Sequence, residues 1–262
     1  MSNELQSVLA SNGILRITMN RPEVHNAFDD HQIVRFTAAL EDAASNPAVR
    51  VLIIASNGKN FSAGGDINYM RRMGGNSYEE NVADGGQLAR LMKTLNGIPK
   101  PTIARVQGAA MGGGVGLVSC CDFAIGTAAT KLTLSEVKLG IIPATISPYV
   151  VMTIGEKAAR RLFMSARPVQ GQEALALGFL SELVEDEQLD EAVDALAATL
   201  LNNAPIAVGL AKQLATQVAA GDINDKVIAE TVKWIADVRD SDEGREGLSA
   251  FLEKRPPAWQ GH

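Results

Sequence analysis

At 262 residues the chain is long enough for one large domain, or a domain with an appendage, around a sizeable core. Its composition, 46% hydrophobic and 21% charged, is that of an ordinary globular protein. A net charge of −6 and a pI near 5.2 argue against non-specific nucleic-acid binding, which requires a basic surface, although a local basic patch is compatible with both.

The two cysteines, Cys120 and Cys121, are neighbours in an apolar run and poorly placed for an ordinary disulfide, so a reducing compartment, the cytoplasm, is expected. Residues 1–12 show no cationic start followed by an apolar core, and no signal peptide is expected. The uncharged run 106–121 is glycine-rich and broken by polar residues, which speaks against a membrane span. His25, His31 and His262 are scattered, and no cluster suggests a metal.

In chain order, residues 14–19 read as a strand with both faces largely covered. A turn comes next, at 21–28. Asp29, with Gln32 three residues on, caps a helix whose apolar face is Ile33, Phe36, Thr37 and Leu40 and which Pro47 stops. Residues 50–55 form a short buried strand. Ser77 with Glu80 caps a second helix with the face Leu88, Leu91, Met92 and Leu95, and 102–106 is the next strand. The polar, glycine-rich stretch 71–77 between them reads either as a mobile loop over a site mouth or as a plain surface loop. After 179–184 the strand signals stop. Three apolar stripes at helical spacing come after it: Leu189, Ala192, Val193, Leu196 and Leu200; Leu210, Ala211, Leu214 and Val218; Ile228, Thr231, Val232 and Ile235. The spacing predicts an α/β core over 1–199 and a helical region over 200–262.

Two glycine-bearing stretches organise the chain: Phe61-Ser62-Ala63-Gly64-Gly65-Asp66 and Gly108-Ala109-Ala110-Met111-Gly112-Gly113-Gly114. Each comes after a strand-like run and leads into a helix-like segment, so each can aim free N–H groups at a developing negative charge. Two such donors converging on one oxygen make an oxyanion hole. Gly-Gly-Gly without an acidic residue about twenty positions on lacks the ribose partner of a dinucleotide site.

Ser-Ala-Gly-Gly-Asp, with Gly-Gly-Gly and then Cys121-Asp122 further along, resembles the crotonase (enoyl-CoA hydratase/isomerase) superfamily, from the strand at Ile14 to the closing Phe251-Leu252-Glu253-Lys254-Arg255-Pro256-Pro257. The resemblance implies a spiral of β-β-α turns, where periodicity alone equally allows a doubly wound sheet. It also implies an acyl-CoA thioester substrate, no cofactor beyond the coenzyme A of that substrate, and a C-terminal helical region that packs between subunits of a trimer or hexamer. By that resemblance Gly65 and Gly113 are the two oxyanion donors, Ala63, Gly64, Asp66 and Ile67 beside them line the substrate and CoA site, and the turn at His25, Asn26 and Ala27 holds the CoA adenine through backbone groups. Asp66 caps the helix beginning near Ile67 and keeps the Gly65 N–H pointed inward. Asp122 secures a turn, and the cysteines are small core residues.

Glu136, in Leu134-Ser135-Glu136-Val137-Lys138-Leu139-Gly140, matches a family glutamate facing the acyl chain, where a carboxylate in an apolar pocket moves a proton at neutral pH. On residues alone it reads as a surface glutamate paired with Lys138. Many hydratases of the family carry a second glutamate where this chain has Gly116. That departure leaves hydration by Glu136 alone, isomerisation of a 3-enoyl-CoA by a single base, or another reaction of the superfamily. The Gly116 region, Ser-Glu-Val-Lys, the turn Pro143-Ala144-Thr145-Ile146-Ser147-Pro148-Tyr149 and the Phe-Leu-Glu-Lys-Arg ending are most similar to methylglutaconyl-CoA and carboxygeranoyl-type hydratases. Under that reading Gly116 leaves space for a substrate carboxylate, which a glutamate about 4 Å away would repel by roughly 4 kcal/mol; otherwise Gly116 merely allows tight helix packing. Thr145, Ser147 and Tyr149 then offer hydroxyls to water or to that carboxylate, or merely form a proline-braced turn. A non-catalytic CoA- or RNA-binding member of the fold is the rival from another class, and the acidic pI and Glu136 count against it.

Overall fold

The computed structural model describes residues 4–219 and 221–260; His262 and the first three residues lie outside that span. In chain order the elements are β1 (Leu5–Leu9), β2 (Ile14–Met19), α1 (Asp30–Ser45), β3 (Val51–Ser56), α2 (Ile67–Met73), α3 (Tyr78–Gly97), β4 (Thr102–Val106), β5 (Ala109–Met111), α4 (Gly113–Cys120), β6 (Phe123–Thr127), β7 (Lys131–Thr133), α5 (Ser147–Ser165), β8 (Val169–Gln170), α6 (Gly171–Leu177), β9 (Glu182–Val184), α7 (Leu189–Leu201), α8 (Pro205–Ala219), α9 (Asp225–Asp240) and α10 (Asp242–Glu253).

A six-stranded sheet runs in the order β1-β2-β3-β4-β6-β9, parallel except for the β1–β2 pair, and a smaller sheet runs β5-β7-β8. The chain alternates between the two sheets, β4 to β5 and then, after α4, β6 to β7, which is the β-β-α repeat of a spiral. β3 explains its own composition: Leu52 and Ile54 face one core while Val51, Ile53 and Ala55 face another, so an unbroken apolar run is required where helices cover both sides. The first core lies under α1, α3, α4 and α5. The second is closed by Leu189, Val193 and Ala197 of α7.

The local capping chemistry matches the sequence. Asp29 accepts from the Gln32 N–H at 2.9 Å, and Ser77 and Glu80 form a full reciprocal capping box. The 71–77 stretch differs from the loop expected of it. Arg71, Arg72 and Met73 are the last turn of α2, and only Gly74-Gly75-Asn76 turn before the Ser77 cap. Asp122 does secure a junction: its Oδ2 accepts from the Thr102 N–H and hydroxyl at 2.8 Å each, and from Lys212 of α8 at 2.9 Å.

The C-terminal stripes divide. The stripe of α7 is covered within the chain by the sheet, whereas α9 buries no residue, and Val232, Phe251 and Leu252 are 61%, 80% and 78% exposed. Among the described residues no single helix is long and apolar enough to cross a membrane; α7 and α8 satisfy length and composition only as a pair bent by 103°.

Candidate active site

The smaller sheet brings the site together. Ser62 bridges Ala110 in parallel register, Phe28 bridges Gly65, and β5 pairs with β7. Three adjacent parallel segments therefore end at one edge, and each ends just before a residue singled out in the sequence: 62 before Gly65, Met111 before Gly113, and Thr133 before Glu136. Parallel neighbours deliver the residues beyond their C-terminal ends to the same side, so residues some seventy positions apart in sequence meet without any local signal.

The Gly65 half is set by hydrogen bonding. Phe28 donates to Gly64 O at 2.8 Å, and Asp66 N donates to Phe28 O at 3.0 Å. Those two bonds flank Gly65 in a parallel bridge and turn its own N–H to the opposite side. Asp66 caps α2 through Oδ1, which accepts from the Asn68 and Tyr69 N–H groups at 2.8 and 3.3 Å, while Oδ2 lies 3.4 Å from the Arg21 guanidinium. Ser62, fully buried, accepts from the Gly64 N–H at 3.1 Å and donates to Asn26 O at 2.9 Å.

The Gly113 half is the first residue of α4, whose N–H has no intrahelical acceptor. Its distance from the first half is short. Gly64 has φ +82°, and a Cβ built there would lie 2.7 Å from Met111 O and 3.8 Å from Gly113 N, so only glycine permits the two backbones to pass this closely.

Glu136 opens the 3-10 turn Glu136–Leu139, and its Oε1 lies 3.1 Å from where a Cβ on Gly112 would stand. The carboxylate thus faces the start of α4. It has no ion pair with Lys138 among the described residues, and its Oε2 is buried without a hydrogen-bond partner. Burial pushes its pKa above the ordinary carboxylate value, opposed by its own backbone N–H. A carboxyl with a raised folded pKa binds its proton more tightly in the folded than in the unfolded state. Its charge therefore costs stability once pH exceeds the unfolded value near 4.5, and fully so above the folded value. Glu136→Gln is accordingly expected to raise Tm at about pH 8, with the gain shrinking as the pH falls to about 4.5; a Tm difference independent of pH contradicts the burial of this group.

Several expected site residues have other work. Asn26 is 2% exposed, its amide donating to Asn57 O at 2.8 Å and Asn60 O at 2.9 Å while its Oδ1 accepts from the Arg21 N–H at 2.9 Å. Ala27 is buried and its carbonyl accepts from Arg21 at 3.0 Å. These two brace the turn whose backbone groups are expected to hold the CoA adenine, and His25, exposed, with Nδ1 3.1 Å from the Asn60 amide, faces outward there. Ala63 anchors the turn by donating to His25 O at 2.9 Å, and Ile67 is 70% exposed.

At Gly116 the structure favours the packing reading. It is buried, and a Cβ there would lie 2.4 Å from Ile146 Cγ2 and 3.1 Å from Met92 Cε. The expected vacancy for a substrate carboxylate is filled by apolar packing. Thr145 turns its methyl toward α3, 4.0 Å from a Cβ position on Gly85. Tyr149 packs into the main core, where burial first and the Cys120 thiol second push its phenol pKa up. Ser147 spends its hydroxyl on Ala144 O at 2.8 Å. The turn is therefore a braced wall, with no side-chain hydrogen bond from Thr145 or Tyr149 to Glu136 among the described residues.

Two groups at the site carry no plain signal in the sequence. Tyr69, buried on α2, donates a hydrogen bond to Asp84 of α3, and burial reinforced by that carboxylate pushes the phenol pKa up. Asp84 continues the inward stripe Leu88, Leu91, Met92 and Leu95 at helical spacing, a signal hidden because a carboxylate breaks an apolar pattern. The other is Arg21, whose one guanidinium reaches Ala27 O, Asp29 at 3.3 Å and Asp66 at 3.4 Å, tying the turn to two helix caps. Among the described residues no group of three or more His, Cys, Asp or Glu side chains is placed to hold a metal.

The Gly64–Gly65 turn and the start of α4 thus lie close together, beside one buried carboxylate with an unpartnered oxygen, an arrangement suited to enolate chemistry on a thioester. The comparisons agree with that class. The enoyl-CoA hydratase/isomerase family model matches residues 10–262, and the chain belongs to this family. It is 33% identical to a crotonyl-CoA hydratase of Syntrophomonas wolfei, covering 90% of each chain. It is 31% identical to the mitochondrial methylglutaconyl-CoA hydratase of Mus musculus, covering 95% of this chain and 80% of that one. The crystal structure of an enoyl-CoA hydratase from Shewanella pealeana superposes with a TM-score of 0.95 at 42% identity, covering 98% of this chain and 96% of that one.

Proposed function

We propose that the protein adds water across the double bond of an α,β-unsaturated acyl-CoA thioester. The observation that carries this is the Glu136 carboxylate set over Gly112, at the start of α4 and beside the close approach of Gly64 to Met111 and Gly113. As the Glu136 carboxylate takes a proton from water, the water oxygen bonds to Cβ and the double-bond electrons move onto the thioester oxygen. The Gly65 and Gly113 N–H groups receive that negative charge. The protonated Glu136 then returns the proton to Cα, completing the net addition of water. Each step is carried by groups of the chain itself. Hydration and isomerisation differ only in where the single base takes its proton, so following the conjugated thioester absorbance with a 2-enoyl-CoA and then a 3-enoyl-CoA decides between them. Loss of the band with the first supports hydration, and appearance of the band with the second alone supports isomerisation.

For the acyl group, the reading as 3-methylglutaconyl-CoA or a related branched, carboxylated enoyl-CoA rests on the sequence likeness. It draws no support from Gly116, where Ile146 and Met92 fill the space. Gly116→Glu is therefore expected to lower kcat/KM equally on methylglutaconyl-CoA and crotonyl-CoA and to destabilise the fold by about 1–3 kcal/mol, the usual cost of overpacking. A loss confined to the carboxylated substrate would restore the idea of an anion site at Gly116. A panel of enoyl-CoAs that includes both identifies the substrate.

The same proposal includes a homotrimer or homohexamer, because α9 and α10 present Ile228, Val232, Ile235, Leu248, Phe251 and Leu252 to solvent. Light scattering is expected to return three or six times the 27.7 kDa chain mass, and a monomer mass refutes it. It also includes a reducing, cytoplasmic setting, consistent with Cys120 and Cys121 as free thiols, the latter pushed up to about 12 by burial.

A further inference from the structure

We propose that Phe28 is the positioning residue that sets the spacing between the two thioester-oxygen donors, an inference that rests on reading Gly65 and Gly113 as those donors. Phe28 grips one donor with its backbone and the other with its ring. Its N–H and C=O hold Gly64 O at 2.8 Å and Asp66 N at 3.0 Å, clamping Gly65 between them. Its ring, 6% exposed, aims its tip at the α-carbon of Gly113. A Cβ built on Gly113 would lie 2.5 Å from Phe28 Cζ and 2.8 Å from Cε2.

The backbone that carries the ring is anchored on both sides. On one side the Ala27 carbonyl is held by Arg21 at 3.0 Å, and on the other Asp29 caps α1 through the Gln32 N–H at 2.9 Å. The backbone of Phe28 is thus fixed between two anchored residues, and a phenyl ring has only two torsions with which to adjust. The position of the ring tip becomes the position of the first residue of α4. A shorter side chain lets Gly113 settle toward β-bridge residue 28, and a longer one pushes it away. Either change alters the distance between two N–H donors that must meet one oxygen. Such displacements act on the transition state, where the charge has formed, more than on the bound thioester.

The test uses the full-length protein and its variants Phe28→Leu, Phe28→Tyr, Gly113→Ala and Phe28→Leu with Gly113→Ala. Two readouts are taken: kcat and KM on crotonyl-CoA, and the near-ultraviolet enolate band of bound acetoacetyl-CoA, a 3-oxoacyl thioester that ionises to an enolate. Phe28→Leu is expected to lower kcat about 10-fold with KM within about twofold, and to weaken the enolate band. Phe28→Tyr, which adds its oxygen at the atom nearest Gly113, should lower kcat further. Gly113→Ala, which forces a methyl against the ring, should lose about 100-fold or more, and the double variant should regain about 10-fold over Gly113→Ala, because the leucine vacates that space. A fold-wide packing defect predicts no such recovery. The inference is overturned if Phe28→Leu leaves both kcat and the enolate band unchanged, or if the losses of Phe28→Leu and Gly113→Ala multiply in the double variant. A wild-type protein that hydrates no enoyl-CoA yet shows the enolate band refutes the hydratase reading alone, and the variants are then judged on the band. Absence of the band in the wild-type protein overturns the donor assignment and this inference together.

Discussion

Glu136→Gln is expected to lower kcat by about 10²–10⁴-fold while KM stays near its starting value, because the amide keeps the size of the carboxylate and cannot carry the proton. The expectation rests on Glu136 being alone. Gly116 is packed against Ile146 and Met92, so no second carboxylate on α4 shares the task, and among the described residues the free, buried Oε2 of Glu136 is the one acidic oxygen at the start of α4 that lacks a partner. On the proposed reading, thioester binding runs through the glycine donors and the backbone of the turn around His25, which the substitution leaves in place. Steady-state kinetics on crotonyl-CoA, with a titration of the saturated butyryl-CoA for binding, checks both halves. Retention of near-full kcat in the Gln variant would make Glu136 a bystander.

Gly64→Ala should lose about 10²–10³-fold in kcat, the cost of misplacing one oxyanion donor, although no atom of the catalytic groups is removed. Gly64 has φ +82°, which costs a residue with a Cβ about 1–2 kcal/mol, and the new methyl would stand 2.7 Å from Met111 O. Met111 cannot yield easily, since β5 is held in register by β7. The strain is relieved by moving Gly64 and with it the Gly65 N–H, away from Gly113. Measured kcat within twofold of the parent protein would mean that the close passage of these two backbones is incidental to the chemistry.

Local chemistry accounts for the features legible in the sequence. Asp29, Asp66 and Ser77 announce helix starts because a short oxygen-bearing side chain satisfies orphan N–H groups two or three residues on, and all three caps are present. The unbroken apolar run of β3 announces a strand covered on both faces, for which two cores must exist. The glycines of the two motifs likewise carry their meaning locally, as positions where a backbone must approach another or enter a helix. These signals depend on neighbours within four residues, and a sequence displays them directly.

Other features depend on partners that the sequence places far away. Gly116 suggests a missing carboxylate and an implied vacancy, but whether a vacancy exists is decided by Ile146, thirty residues later, and Met92, on another helix. Asn26 sits in a turn expected to bind through its backbone, but that its amide shapes the turn by donating to Asn57 and Asn60 is visible only in three dimensions. The stripe of α7 reads as exposed as that of α9, but the sheet covers one and leaves the other bare. The sequence by itself determined the family, the caps, the covered strands and the two glycine motifs, since each is written in short-range hydrogen bonding and pattern. Only the tertiary structure decided that the segments ending before Gly65, Gly113 and Glu136 lie side by side. The reason is that parallel register is set by long-range pairing between strands, and no residue encodes it alone.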